Sequence, residues 1–243
     1  LESAKTYFEE AMEIYEAKLV RLSPYYATAL ENLATLYQME GDIIKSKELL
    51  EEALIIDEKI LGKNHPLYSK TLHNLASIYE DTEEYEKSRD LYEQSLAIDE
   101  KIYGKNHPSY ASTLYNLAVL EQELENFDQA KTYYQQVADT RKNILGENHP
   151  DYAYSIYGLA SVNQRTGNYE EAKGNYEIVI EKYLENIREY FPALSETEKS
   201  AFYGKIRPVF EAFMDFAVEY VITEQGTAQD RTNMLGQLYD LQL

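Results

Sequence analysis

Leu61-Gly62-Lys63-Asn64-His65-Pro66 returns 42 residues later as Tyr103-Gly104-Lys105-Asn106-His107-Pro108, and again at the same interval as Leu145-Gly146-Glu147-Asn148-His149-Pro150. Each stretch reads as a helix stop joined to a helix start. The glycine can take the left-handed conformation that closes one helix, and the proline suits the first turn of the next, where its missing N–H would have had no partner. Pro24, Pro66, Pro108, Pro150 and Pro192 keep the interval of 42 without a break. A fixed period of this size means stacked units, each too small to bury its own apolar face.

Between these boundaries the same features recur in phase. Asn32-Leu33-Ala34, Asn74-Leu75-Ala76 and Asn116-Leu117-Ala118 are followed by Gly158-Leu159-Ala160, a decayed fourth copy. Next come the turns Gly41-Asp42-Ile43, Glu83-Glu84-Tyr85, Glu125-Asn126-Phe127 and Gly167-Asn168-Tyr169. Small residues follow, at Ala4, Ser46, Ser88, Ala130 and Ala172. Small side chains at fixed helical positions let two helix axes approach closely, so positions 34 and 46, 76 and 88, 118 and 130, and 160 and 172 read as packing points of antiparallel helix pairs. The spacing predicts first helices at 24–39, 66–81, 108–123 and 150–165. Second helices are predicted at 42–60, 84–102, 126–144 and 168–190, with 1–20 as the second helix of a further unit.

These residues resemble the tetratricopeptide repeat, in the longer form found in kinesin light chains and many bacterial multi-repeat proteins. The shared pattern is Gly-x-x-His-Pro-x-Tyr-Ala, then Leu-x-Asn-Leu-Ala, Gly-x-Tyr-x-x-Ala, and a Tyr-rich helix ending Ile-Asp-Glu-Lys-Ile-x-Gly. The resemblance covers residues 1–190, as a half repeat at 1–20 and full repeats at about 22–62, 64–104, 106–146 and 148–190. It implies an all-α fold, a right-handed superhelical solenoid of helix-turn-helix repeats. It also implies that the first helices line a concave groove seating a segment of another protein.

Composition narrows the function classes. Apolar residues recur at helical spacing nearly throughout, which favours an all-α chain. With 43 acidic against 23 basic residues the net charge is −20. Nucleic acid and anionic membrane surfaces are therefore disfavoured as partners, since phosphate recognition needs Lys and Arg in excess. No apolar run approaches the ~18 residues that span a bilayer, and Leu1-Glu2-Ser3 opens no signal peptide. Cysteine is absent, as a cytoplasmic protein easily tolerates. The 24 tyrosines, beside no tryptophan, fall mostly where the repeats need interhelical core.

No catalytic, cofactor or metal site is expected. There is no thiol nucleophile. His65, His107 and His149 hold one place in successive repeats, on the order of 10 Å apart, and zinc needs its nitrogens at about 2.0–2.1 Å from one ion. Their expected role is to cap or pack at helix starts. Gly62-Lys63 and Gly104-Lys105 lack the extended glycine-rich loop that cradles phosphates.

After the repeats the pattern breaks. Ser195-Glu196-Thr197-Glu198 is a capping-box candidate opening a helix at 195–206. Pro208 is expected to start or kink another, with an apolar stripe at Phe210, Phe213, Met214, Ala217 and Tyr220-Val221. A break at 225–230 precedes a last amphipathic helix carrying Met234, Leu235, Leu238 and Leu241. Residues 191–243 are thus expected to form a C-terminal helical cap. The stretch resembles the segment joining repeats to the caspase-like protease in bacterial CHAT proteins. That likeness implies a regulatory module excised from a longer chain whose protease lies outside these residues.

The expected function is a protein-interaction scaffold. Counting from the Ala of Asn-Leu-Ala, the groove should be lined on the first helix by Thr28, Glu31, Asn32, Thr35 and Gln38, and on the second by Lys70, His73, Asn74, Ser77 and Glu80. The third should present Ser112, Tyr115, Asn116, Val119 and Gln122, and the fourth Tyr154, Tyr157, Ser161 and Gln164. The Asn amides could hold a peptide backbone or bond to a neighbouring helix. Glu31, His73, Tyr115 and Tyr157 stand where chaperone-tail binders of this family place Lys, so a two-carboxylate clamp is not expected. The partner should be a basic or neutral peptide or protein rather than an acidic one. A self-associating array, dimerised through the truncated N-terminal edge, is the remaining alternative.

Overall fold

The computed structural model describes residues 2–17, 22–223 and 225–240, and every regular element among them is helical. In chain order the helices are α1 (Glu2–Ala17), α2 (Pro24–Glu40), α3 (Ile43–Ile60), α4 (Pro66–Asp81), α5 (Tyr85–Tyr103) and α6 (Pro108–Glu123). Then follow α7 (Phe127–Leu145), α8 (Pro150–Arg165), α9 (Tyr169–Tyr190), α10 (Glu196–Ile222) and α11 (Ala228–Asp240). The starts of α2, α4, α6 and α8 fall on the periodic prolines. At α2, α4 and α8 the residue before the proline accepts the first free amides. Ser23 Oγ accepts from the Tyr26 N–H at 3.2 Å, and His65 and His149 accept through Nδ1 from Leu67 and Asp151 at 3.1 Å each.

Two of the three closing glycines differ from the expected left-handed cap. Gly104 and Gly146 have positive φ, but with ψ of 172° and 164° they occupy the extended positive-φ region that only glycine enters readily. One amide of the cap still reaches back, Gly104 N–H to Glu100 O and Gly146 N–H to Lys142 O.

The chain divides into two compact units, Leu1–Leu120 and Glu121–Leu243. In the first, α1 packs on α2, and α2–α3 and α4–α5 are helical hairpins, with α3 against α4. Its core gathers Tyr26, Leu30, Leu33, Leu49, Leu50, Ala53, Ile56, Leu75 and Ile78. In the second, α7 packs on α8, α8 on α9, and α10 on α9. Ala34, Ser46, Ala76, Ser88, Ala118, Ala130, Ala160 and Ala172 are all at 0% exposure, so every small position named from the sequence, apart from Ala4, is fully enclosed. The side chain of Ala4 lies outside the described residues.

The C-terminal segment departs from expectation at one point. The Ser195 capping box forms, with Glu198 N–H on Ser195 Oγ and Ser195 N–H on the Glu198 carboxylate at 2.9 Å. Pro208, however, does not divide the helix that follows, and α10 runs unbroken from 196 to 222. Pro208 sits on the exposed face, so the carbonyl one turn back that loses its amide donor can turn to water. On the opposite face Ile206, Val209, Phe213, Phe216, Ala217 and Tyr220 are buried. Phe213, Phe216, Ala217 and Tyr220 join Ala160, Ala172, Tyr176, Ile180 and Met234 in one cluster, so Met234 of α11 is part of this core. The side chains of Leu235 and Leu238 and all of Leu241 fall outside the described residues.

The hairpin turns contain two conformational exceptions. Glu83 and Glu125 have φ of 60° and 61°, in the left-handed region that Gly41 and Gly167 occupy in the equivalent turns. A β-carbon there costs about 1–2 kcal/mol. Glu83→Gly and Glu125→Gly are therefore expected each to raise stability by up to about 1 kcal/mol, after the extra backbone entropy of glycine in the unfolded chain. Urea titrations with midpoints at or below wild type in both variants would refute the strain.

Candidate functional site

The predicted lining of the first unit comes from one face each of α2, α4 and α6. Thr28 and Thr35 turn their hydroxyls back to the Pro24 and Glu31 carbonyls at 2.9 and 3.0 Å, the usual helical back-bond. Asn32 and Asn74 are half-buried, and neither amide hydrogen-bonds to another described residue. Asn116 does, with Nδ2 lying 3.2 Å from His73 Nε2. An amide nitrogen is a donor, so Nε2 accepts, Nδ1 carries the proton, and His73 donates to Thr113 Oγ1 at 3.0 Å. Burial holds His73 down at about 4, so the ring is neutral near pH 7. Its edge meets the Tyr92 ring at 5.4 Å. Gln38 donates to Asp81 at 2.7 Å and to Ser77 at 3.4 Å, tying α2 to α4.

Glu31 was expected on the open face and is instead buried, at 2% exposure. The cause is a polar cluster between α2, α3 and α4. Lys70 Nζ sits 2.7 Å from Glu31 Oε2, and the Thr71 hydroxyl touches both the Glu31 carboxylate and Asp57 Oδ2, the latter at 2.8 Å. One repeat on, Ser69 donates to the buried Asp99 at 2.8 Å. Burial pushes the carboxyls of Asp57 and Asp99 above the usual range. The only sequence signal for these groups was phase: Asp57 and Asp99 hold one place in the repeat, where Arg141 stands in the next.

Between α4, α5 and α6 this face opens into a cleft of about 410 Å³, within the size range of ligand sites. Its walls include Pro66, Leu67, Tyr103 and Pro108, and its polar lining includes Lys70, His73, Asp99 and Ser112. The Tyr103 ring stacks on His107 at 3.9 Å.

In the second unit the predicted residues are more occupied. Gln164 donates to Glu219 of α10 at 2.7 Å and accepts from the Tyr176 hydroxyl at 2.9 Å, so both ends of its amide are engaged. Ser161 accepts from Gln122 at 3.2 Å. Tyr154 and Tyr157 lie 5.9 Å apart, ring to ring, and Tyr157 contacts Tyr176 at 6.2 Å. The repeat Asn is missing here for a steric reason: a β-carbon on Gly158 would lie 2.4 Å from the Tyr134 ring. Among the described residues, no group of three His, Asp or Glu could hold a metal ion. His65, His107 and His149 act at helix starts, each Nδ1 accepting an amide two residues on.

Two consequences can be measured. Gly158→Ala should lower stability by about 1–3 kcal/mol despite the better helix propensity of Ala, because the buried Tyr134 ring has to move; an unchanged or raised melting temperature would mean that the ring yields freely. For His73, the unfolded chain takes up a proton near pH 6.5 that the folded chain refuses until about 4. Stability linked to this residue is thus full above 6.5 and is lost as pH falls through that window, by about 3 kcal/mol. The stability gap between wild type and His73→Gln should shrink between about pH 7 and 4. A constant gap would show that His73 titrates as if exposed.

The tetratricopeptide repeat family profile matches residues 1–54, 25–101, 69–143 and 109–185. Among solved structures, the kinesin-light-chain TPR-like repeats of Podosopora anserina are 26% identical, with a TM-score of 0.67, covering 77% of this chain and 88% of that one. BtubC (BKLC) of P. vanneervenii is 22% identical at a TM-score of 0.66, covering 98% and 90%. YrrB, named as a TPR protein with an unusual peptide-binding site, is 17% identical at a TM-score of 0.56, covering 97% and 92%. No curated protein sequence matches. With the repeat profile spanning well over half of its residues, in the phase marked by its prolines and buried small side chains, the chain belongs to the tetratricopeptide repeat family.

Proposed function

We propose that the chain is a non-catalytic interaction scaffold that seats a peptide or protein segment on the α2–α4–α6 face of its first unit. The observation that carries this reading is the pair Asn32 and Asn74. Each offers a donor and an acceptor, half-buried and unused by any described residue, at equivalent points of successive repeats. Such amides can take the N–H and C=O of an extended backbone without selecting its side chains. The peptide-binding site named for YrrB supports the same use of this fold. The net charge of −20 favours a basic or neutral segment and speeds its encounter. Residues 191–243 are assigned the role of cap to the repeats, supported by the buried stripe of α10. No described helix is long and apolar enough to cross a membrane, and the absence of cysteine suits work in the cytoplasm.

A second reading, self-association through the N-terminal edge, is favoured by Tyr7 and Ile14, which α1 leaves 73% and 54% exposed. Sedimentation equilibrium separates the two, since a scaffold for other chains stays monomeric at micromolar concentration.

For the first reading, random 12-residue peptides displayed on phage are selected on the immobilised chain. The selected peptides should be neutral or basic, and their association rates should fall as salt rises. Asn32→Ala combined with Asn74→Ala should weaken them by about tenfold, the loss of one or two hydrogen bonds, with melting little changed. Selection of acidic peptides without salt dependence, or equal affinity for the double variant, would overturn the reading.

A further inference from the structure

Three copies of one interhelical site carry three different sets of charge. In the first copy a buried acid, Asp57, is joined through Thr71 to Glu31, and the chain supplies the cation itself, with Lys70 Nζ 2.7 Å from the Glu31 carboxylate. In the third copy Arg141 takes the place of the acid and donates to Ser155 Oγ at 2.9 Å and to Asp151 O at 3.0 Å. The second copy keeps the acid, Asp99, but Ser112 stands where Lys70 stood and His73 where Glu31 stood. Asp99 is 4% exposed, forms no ion pair with a described residue, and receives the Ser69 hydroxyl as its side-chain donor at 2.8 Å. A carboxylate so enclosed and so weakly compensated is costly to keep charged unless a cation meets it.

The cleft of about 410 Å³ opens beside Asp99. Lys70 lies on its wall but is held by Glu31. The titratable rings beside it are also engaged. His73 bonds Thr113 and Asn116 through its two nitrogens, and His107 stacks on Tyr103 while its Nδ1 accepts the Ser109 amide. The remaining walls, Pro66, Leu67 and Tyr103, suit an aliphatic stem and offer one aromatic face.

We propose that this cleft receives a lysine or arginine side chain of the bound peptide, its charged end meeting Asp99 and its stem lying against Pro66, Leu67 and Tyr103. The ligand supplies a countercharge where Asp99 forms no ion pair with a described residue. The assignment rests on the peptide-binding reading above and gives it a specificity position.

The test uses the intact chain and pools of random 10-residue peptides in which one position is fixed as Lys, Arg, norleucine or Glu. Wild type at about 0.15 M salt should retain the Lys and Arg pools about tenfold over norleucine, as expected for one charge met in a secluded site. Asp99→Asn removes the negative charge, and Ser112→Lys places a resident ammonium at the mouth as Lys70 does. Both should bring the preference to within about twofold while retaining the norleucine pool. Thermal melts identify a variant that fails to fold, and either variant alone decides the matter. Equal retention of Lys, Arg and norleucine pools by wild type overturns the proposal and leaves the peptide-binding reading intact. A basic preference that persists in the folded variants also overturns it, tracing that preference to the general acidity of the chain. Failure of every pool to bind removes both.

Discussion

Close approach of helix axes at the small, fully buried positions is the constraint on which the fold depends. A hairpin of about forty residues has too little interior to stand alone, and its neighbours complete its core. Ala34 and Ser46, or Ala160 and Ala172, leave no side chain to hold the helices apart, so the larger residues around them interlock. The hydroxyls of Ser46 and Ser88 are a cost of this arrangement, since both are enclosed without a hydrogen-bond partner where later repeats carry Ala.

The acidity of the chain and its wealth of tyrosine are connected. Buried rings extend outward from the core until the phenol meets a carboxylate or amide at the rim. Tyr92 donates to Glu80 at 3.2 Å, Tyr176 to Gln164 at 2.9 Å and Tyr220 to Glu170 at 2.8 Å. Burial raises all three phenols above their ordinary range, reinforced by Glu80 at Tyr92, by Tyr157, Glu219 and Asp215 around Tyr176 and by Glu170 at Tyr220, the last reaching about 12, so they remain donors. Part of the acid excess is thus structural, providing acceptors for rings that are apolar over most of their length and polar at one end.

Helix ends were legible because their chemistry is local: a proline, a capping side chain and a glycine within six residues determine where the chain turns. The buried small residues were legible through phase. Pro208 misled, because its effect depends on which side of α10 faces water, and that is set by what α10 packs against. Glu31, Asp57 and Asp99 were hidden for a related reason. A helix pattern places an acid on the polar face by default, and its burial becomes apparent only when Lys70, Thr71 or Ser69 arrives from another helix. Among the face residues, Asn116, His73 and Gln164 were all named from sequence, while the contacts that join Asn116 to His73 and Gln164 to Glu219 run between separate helices and could not be.

The turn conformations of Glu83 and Glu125 bear on how the molecule answers mechanical load. Gly41 and Gly167 hold the same left-handed geometry without cost, so the sequence sets two relaxed turns outside two tensioned ones. Pulling on the ends would meet hairpins of unequal stiffness. The α4–α5 pair, released at Glu83, regains the strain energy as it opens, whereas the α2–α3 pair, turning at Gly41, gains nothing. The chain thereby contains preferred points of yielding at the Glu83 and Glu125 turns.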